Sequence, residues 1–262
     1  MYEFEFARPA TVADAVQALT AEEAQALGGG QTLIPTLKQR LASPSVLVSL
    51  SGIAEIKGIC QTDEGLLAIG GGTTHAEVAE GAGAYPALAA LAGQIGDPAV
   101  RNRGTIGGSL ANNDPAACYP AAALASNAVI VTHAREIAAD DYFQGMFTTA
   151  LEEGEIITEV RFAVPEAANY QKFLQPASRF AMVGVFVAKY FDGVRVAVTG
   201  ASEEGVFRWR EAEAALSANF SPDAIAGLSV AQEGMIGDIH GTKAYRAHLV
   251  GVMTKRAVSA AR

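Results

Sequence analysis

The chain opens on a strict alternation. Tyr2, Phe4 and Phe6 stand between Glu3 and Glu5, the period of two that a half-buried strand requires, and Pro9 ends it. Thr11 with Asp14 three positions on reads as an N-cap, and Val12, Ala15, Val16 and Leu19 then recur at helical spacing. Residues 24–27 predict a short strand that runs into three glycines, residues 33–41 a helix with Pro35 tolerated in its first turn, and residues 46–50 the next strand. This order predicts a small α/β lobe over residues 1–57.

A second lobe is expected over residues 58–168. Residues 66–69 form an apolar strand that again meets three glycines, Gly70, Gly71 and Gly72, with helices following at 74–80 and 86–95. Residues 96–115 are polar and glycine-bearing without a period of their own. A structureless run of about 20 residues is unusual in a compact domain and points to function. Strands are expected at 128–132 and 155–164. From residue 169 the pattern changes: 182–190 and 194–199 are β-rich runs joined by Asp192-Gly193, a hairpin signal, and 209–216, 221–228 and 242–260 read as helices. That order predicts an α+β module with its own antiparallel sheet.

Composition narrows the class. The 262 residues are 50 % apolar and 18 % charged, so the chain can bury a core without staples. The net charge of −9 disfavours nucleic-acid binding. Cys60 and Cys118 are the only cysteines, too few for a disulfide framework or a four-cysteine cluster. No signal peptide or membrane span is visible, so a soluble protein of a reducing compartment, the cytoplasm, is expected.

Three glycine loops are the candidates for chemistry: Gly28, Gly29 and Gly30 before Gln31 and Thr32; Gly70–72 before Thr73; and Gly107 and Gly108 between Thr105 and Ser109. Glycine lets backbone come close to a ligand, and consecutive amides at a helix start can hold phosphate oxygens without a lysine. The plainer reading of each is a tight turn. The P-loop and dinucleotide fingerprints are both absent. Gly107 to Ala111 falls one residue short of a nucleophile elbow, because Ala111 stands where glycine is needed. His75 reads as a capping or hydrogen-bonding residue, Asp238 and His240 as structure before the last helix, and Cys118 as a buried filler. For Arg101 and Arg103, neutralising a diphosphate and pairing with surface acids remain equally open. No catalytic or metal-ligating residue is assigned.

The stretch Leu27-Gly28-Gly29-Gly30-Gln31-Thr32-Leu33-Ile34-Pro35, followed by residues 38–41, resembles the first FAD-binding motif of the molybdenum-hydroxylase flavoprotein family. That family includes the medium subunit of carbon monoxide dehydrogenase and the flavin domain of xanthine dehydrogenase. Residues 96–110, with Arg101, Thr105, Ile106, Gly107, Gly108 and Ser109, resemble its second motif; 177–184 and 238–241 resemble parts of its C-terminal domain. The resemblance implies an α+β chain: a two-lobed FAD-binding domain of the PCMH type, then a C-terminal domain of antiparallel sheet with helices over 169–262.

It further implies that residues 28–34 and 105–109 clasp the FAD diphosphate from opposite lobes, with Asn112 and Asp114 reaching sugar or ribityl hydroxyls. Ile95 and Ile157 would lie along the flavin or adenine, and Phe180 near the isoalloxazine, with Lys172 and Gln175 as neighbours. Cys118 departs from the family, which often has Asp there, and so lacks a carboxylate contact. The implied function is an FAD-binding electron-transfer oxidoreductase subunit. Its partners would be a large molybdenum-cofactor subunit and a small 2Fe–2S subunit, and it would deliver electrons to NAD, a quinone or oxygen. Two rivals stand beside it, a self-contained flavin oxidase or reductase of the same lobes and a nonenzymatic anion-binding scaffold.

Overall fold

A computed structural model of the chain describes all 262 residues. The first sheet is parallel and combines β1 (Glu5–Ala7), β2 (Ala24–Leu27) and β3 (Val46–Ser49), with β3 in the middle. Helix α1 (Val12–Ala18) starts where Thr11 Oγ1 accepts the Asp14 amide at 3.1 Å, as its spacing predicts. Helix α2 (Leu33–Lys38) follows the first glycine loop. The opening strand is shorter than its alternation suggests. Tyr2 lies outside it, half-exposed beneath the Arg40 guanidinium.

The second sheet is antiparallel. Its strands β4 (Ile59–Gln61), β5 (Leu67–Gly70), β6 (Val129–Thr132), β7 (Glu136–Ala138) and, after the small hairpin β8 (Phe143–Gly145) and β9 (Thr148–Thr149), β10 (Ile157–Phe162) are ordered β4–β5–β10–β6–β7. Helices α3 (His75–Gly81), α4 (Pro86–Gly93), α5 (Pro98–Arg101), α6 (Ile106–Asn112), α7 (Tyr119–Ala125) and α8 (Ala139–Tyr142) lie between the strands in sequence. The segment 96–115, expected to be structureless, holds both α5 and α6. Each is announced by a cap rather than a period: Asp97 Oδ1 accepts the Val100 amide at 2.9 Å ahead of Pro98, and Thr105 Oγ1 accepts the Gly108 amide at 3.1 Å. Helices of four and seven residues are too short to display an amphipathic repeat. Helix α7 went unpredicted for a different reason. All seven of its residues are buried, so it has no polar face to mark its period.

The third sheet, β11 (Ala167–Leu174), β12 (Ala181–Tyr190), β13 (Gly193–Ser202) and β14 (Gly205–Arg208), is an antiparallel meander, and Asp192-Gly193 makes the β12–β13 turn as expected. Two helices cover one face, α9 (Arg210–Ala218) and α10 (Lys243–Ala260). The helix expected over 221–228 is only a 3-10 turn, Pro222–Ile225, held by Ser221 Oγ on the Asp223 amide. Strands β12 and β13 are apolar on both faces because both are covered. Val185, Val187, Val196 and Val198 pack toward Leu216, Val250 and Met253, while Phe186, Ala188 and Ala197 pack toward Tyr85, Tyr170 and α7. Burying each large side chain contributes roughly 1.5–3 kcal/mol. One hydrophobic core therefore runs from the antiparallel sheet of residues 59–162 into the face of the third sheet. No helix is long and apolar enough to cross a membrane.

Candidate functional site

A cavity of about 750 Å³ is walled by the first glycine loop, by residues between Ile95 and Cys118, by Glu155 to Ile157 and by Lys172 and Ser178 to Phe180. That volume lies in the usual range for cofactor sites. Its floor is the meeting of two glycine loops. A Cβ built on Gly29 would fall 2.0 Å from the Arg103 carbonyl oxygen, and one on Gly28 would fall 3.2 Å from Thr105 Oγ1. Gly30 adopts φ +73°, in the left-handed region that favours glycine. The backbone of the first loop therefore rests directly on the chain at Arg103 and Gly104.

Their amides differ. The N–H groups of Gly28, Gly29, Gly30, Gln31 and Thr32 donate to no backbone acceptor in the chain. In the second loop the amides are engaged: Ile106 donates to Thr73 O (3.1 Å), Gly107 to Gly71 O (2.9 Å), Gly108 to Thr105 Oγ1 (3.1 Å) and Ser109 to Thr105 O (3.0 Å). The expectation that both loops present rows of free amides is thus corrected for the second. Its glycines serve close packing, since a Cβ on Gly107 would meet Gly71 O at 2.6 Å. What the second loop turns to the cavity is the half-buried Ser109 hydroxyl and, further along, the Asn112 amide. The Gly70–72 loop is likewise a packing device, with Ile56 O 2.4 Å from a Cβ on Gly70 and Ile157 O 2.2 Å from one on Gly71.

Of the residues singled out from sequence, Leu27, Gln31, Thr32, Leu33, Ile95, Asp114, Cys118, Ile157 and Phe180 line this cavity together with Gly28–30, Thr105, Gly107–Ser109 and Asn112. Three do not. Ile34 faces a smaller neighbouring hollow beneath the first loop, and Ile106 is wholly buried in the core. Arg101 turns inward, where Nη1 donates to Ile95 O and Gly96 O at 3.0 Å each; the arginine on the wall is Arg103. The first of these bonds holds the carbonyl of Ile95 in place, so Arg101 shapes the wall from behind. Asp114 is partly committed as well, its Oδ1 accepting the Ala116 amide at 2.8 Å.

His75, read from sequence as a capping residue, is the first residue of α3 and lies in the wall with 5 % exposure. Its backbone amide bonds Gly104 O at 2.9 Å, its ring sits 5.4 Å from that of Tyr119, and its Nδ1 has no partner. Burial, with the nearby Arg101 charge, pushes its pKa down to about 4, so the imidazole is neutral at pH 7. Glu155, also in the wall, is held down to about 2 chiefly by its hydrogen bonds from Arg135. Ser178 and Arg179 join the wall through the turn before Phe180; residues 177–184 resemble part of the family's C-terminal domain, but that resemblance marks only Phe180 as a site residue. Nowhere do three or more His, Cys, Asp or Glu side chains converge as a metal site requires.

The arrangement fits a bound dinucleotide: five unengaged amides on a bare glycine backbone, hydroxyl and amide side chains beside them, and apolar surface from Ile95, Ile157 and Phe180. Comparison with known proteins agrees. Residues 2–166 match the family described as the FAD binding domain in molybdopterin dehydrogenase. The chain is 34 % identical to the carbon monoxide dehydrogenase medium chain of Afipia carboxidovorans, over 99 % of this chain and 96 % of that one. It is 33 % identical to the nicotine 6-hydroxylase medium subunit of Paenarthrobacter nicotinovorans, over 97 % and 95 % respectively. Its fold superposes on reconstituted CO dehydrogenase from Oligotropha carboxidovorans with a TM-score of 0.88 and 32 % identity, over 98 % of this chain and 97 % of that one. The chain belongs to the FAD-binding flavoproteins of the molybdopterin dehydrogenase family. It is an FAD-binding oxidoreductase subunit with the α+β fold that its sequence implies.

Proposed function

We propose that this subunit relays electrons, receiving them from a small 2Fe–2S partner served by a large molybdenum-cofactor partner, and releasing them to NAD, a quinone or oxygen. The observation that carries the reading is the contact of the two glycine loops over one cavity, with the amides of residues 28–32 unengaged. FAD, when bound, supplies the exchange between one-electron and two-electron transfer. The protein's residues have binding and shaping roles. Gly28 to Thr32 would donate to the diphosphate, Ser109 and Asn112 would bond to it or to neighbouring hydroxyls, and Arg103 would add the compensating charge. Ile95, Cys118, Ile157 and Phe180 would form the apolar surround. We further propose the division of the chain at residues 57 and 168, with both lobes before the second boundary clasping the cofactor.

Composition supports the need for partners, because two cysteines, one exposed and one buried, cannot hold a cluster. The relatives' names, medium chain and medium subunit, support an assembly of several chains. The test is affinity purification of the tagged chain from its native cells. Flavin at one per chain, together with co-purifying chains that contain molybdenum and iron, is the expected result. Flavin with full oxidoreductase turnover by the isolated chain would favour a self-contained oxidase or reductase instead, and a folded chain that neither retains nor takes up FAD would remove both.

A further inference from the structure

Lys172 leaves β11 and ends half-buried in the cavity wall. Its Nζ donates to Gln94 O at the end of α4 (2.8 Å) and to Arg179 O (2.8 Å), and lies 3.6 Å from Cys118 Sγ. Two carbonyls and a thiol are its partners, and no carboxylate lies within ion-pair distance of this ammonium. Its charge is left to the cavity.

The turn that meets Lys172 is built around that bond. Arg179 sits at φ +60°, a conformation that residues with a Cβ take rarely, and its amide donates to Gln175 O while the Gln175 amide donates to Phe180 O, both at 2.8 Å. In that geometry the Arg179 carbonyl takes the ammonium, and Phe180 follows directly on the cavity wall. One side chain from the third sheet thereby fastens the Phe180 turn to the lobe carrying α4 and α7, and brings a positive charge to the same wall.

Resting on the reading of this cavity as the FAD site, we infer that Lys172 sets the reduction potential of the cofactor, favouring its reduced state, and that Cys118 preserves this effect because it places no carboxylate beside the ammonium. A flavin reduced near neutral pH gains more electrons than protons and carries extra negative charge. A fixed ammonium in the wall of the site stabilises that charge more than it stabilises the oxidised ring. Preferential binding of one redox state is by linkage a shift in potential. A carboxylate at position 118, 3.6 Å or less from Nζ, would cancel the ammonium's field; a thiol does not.

The experiment is potentiometric titration of the FAD-loaded chain with dithionite and a reference dye, paired with fluorescence titration of oxidised FAD. The variants are Lys172→Met, Lys172→Arg, Cys118→Asp and Cys118→Ser. For Lys172→Met and Cys118→Asp we expect at least a tenfold loss of preference for reduced over oxidised FAD, which is a downward shift of about 30 mV for a two-electron couple. Cys118→Ser and Lys172→Arg should stay near the wild type. If Lys172→Met sheds its cofactor altogether, Cys118→Asp decides, because it keeps the lysine and changes only the charge. Unaltered potentials in Cys118→Asp and in any flavin-retaining Lys172→Met would overturn the inference and leave Lys172 as a mechanical fastener. Failure of the wild-type chain to bind FAD at all would instead count against the site assignment itself.

Discussion

Residues 28–32 and residues 105–109 each combine paired glycines with a hydroxyl side chain, yet their amide hydrogens go to different places. In the first loop they meet no backbone acceptor, and in the second they are consumed by Gly71, Thr73 and Thr105. The absence of side chains also serves different ends. Gly29 is bare because the Arg103 carbonyl occupies the space a Cβ needs, and Gly107 is bare because Gly71 does. A glycine-rich motif thus announces close backbone approach, while whether the partner is a ligand or the protein itself is decided by the hydrogen-bond inventory of the fold.

The largest test of this contrast is Gly29→Ala. Its Cβ would collide with backbone at 2.0 Å, so the two loops must part; we expect retention of FAD to be lost and stability to fall by about 3 kcal/mol. Gly28→Ala, facing a hydroxyl at 3.2 Å and the Gly108 Cα at an ordinary 3.9 Å, should bind FAD within about fivefold of the wild type, by equilibrium fluorescence titration. Comparable losses in both variants would show that the loops' contact is not what matters.

The second loop leans on His75, whose protonation belongs to the unfolded chain. With an ordinary pKa of 6.5 and a folded value of about 4, the unfolded state binds the extra proton throughout that interval. Stability should accordingly rise with pH across it and be lost as pH falls, by roughly 2 kcal/mol between pH 7 and pH 5. Urea midpoints measure this, and His75→Gln should flatten the slope. Glu155 acts lower: its depressed pKa adds stability above its ordinary 4.5 that disappears only as pH drops toward about 2.

Smaller effects separate packing from ligation. Thr105→Ala removes the cap of α6 and should cost about 1 kcal/mol of stability in the apoprotein, read as a lowered urea midpoint. Ser109→Ala should leave that midpoint alone and weaken FAD binding by about 1 kcal/mol, roughly fivefold. If the two losses were exchanged, Thr105 would be the ligand and Ser109 the structural residue.

Much of the cavity's lining was legible in the sequence, the first glycine loop from its own residues and the other positions only through the family resemblance. The first glycine loop, Ile95, Asn112, Cys118, Ile157 and Phe180 all reach one wall. What escaped notice did so for identifiable reasons. Arg101 and Arg103 are two positions apart and chemically identical; only the carbonyls of Ile95 and Gly96 decide which turns inward. Helices α5 and α6 are carried by the caps Asp97 and Thr105 rather than by periodicity, and α7 is wholly buried. Strand β11 alternates only over part of its length, because its last residues, Phe173 and Leu174, run out to solvent. Lys172, next to them, acquires its partners from residues 54, 78 and 7 positions away, a convergence no local window contains.

The continuous core that joins β12 and β13 to α7 has a practical corollary for anyone cutting the gene. Severing the chain after residue 166, where the family match ends, would strip Tyr85 of Phe186 and bare the whole flank of α7. Such a fragment should precipitate rather than bind flavin, so chimaeras between relatives ought to exchange this subunit whole.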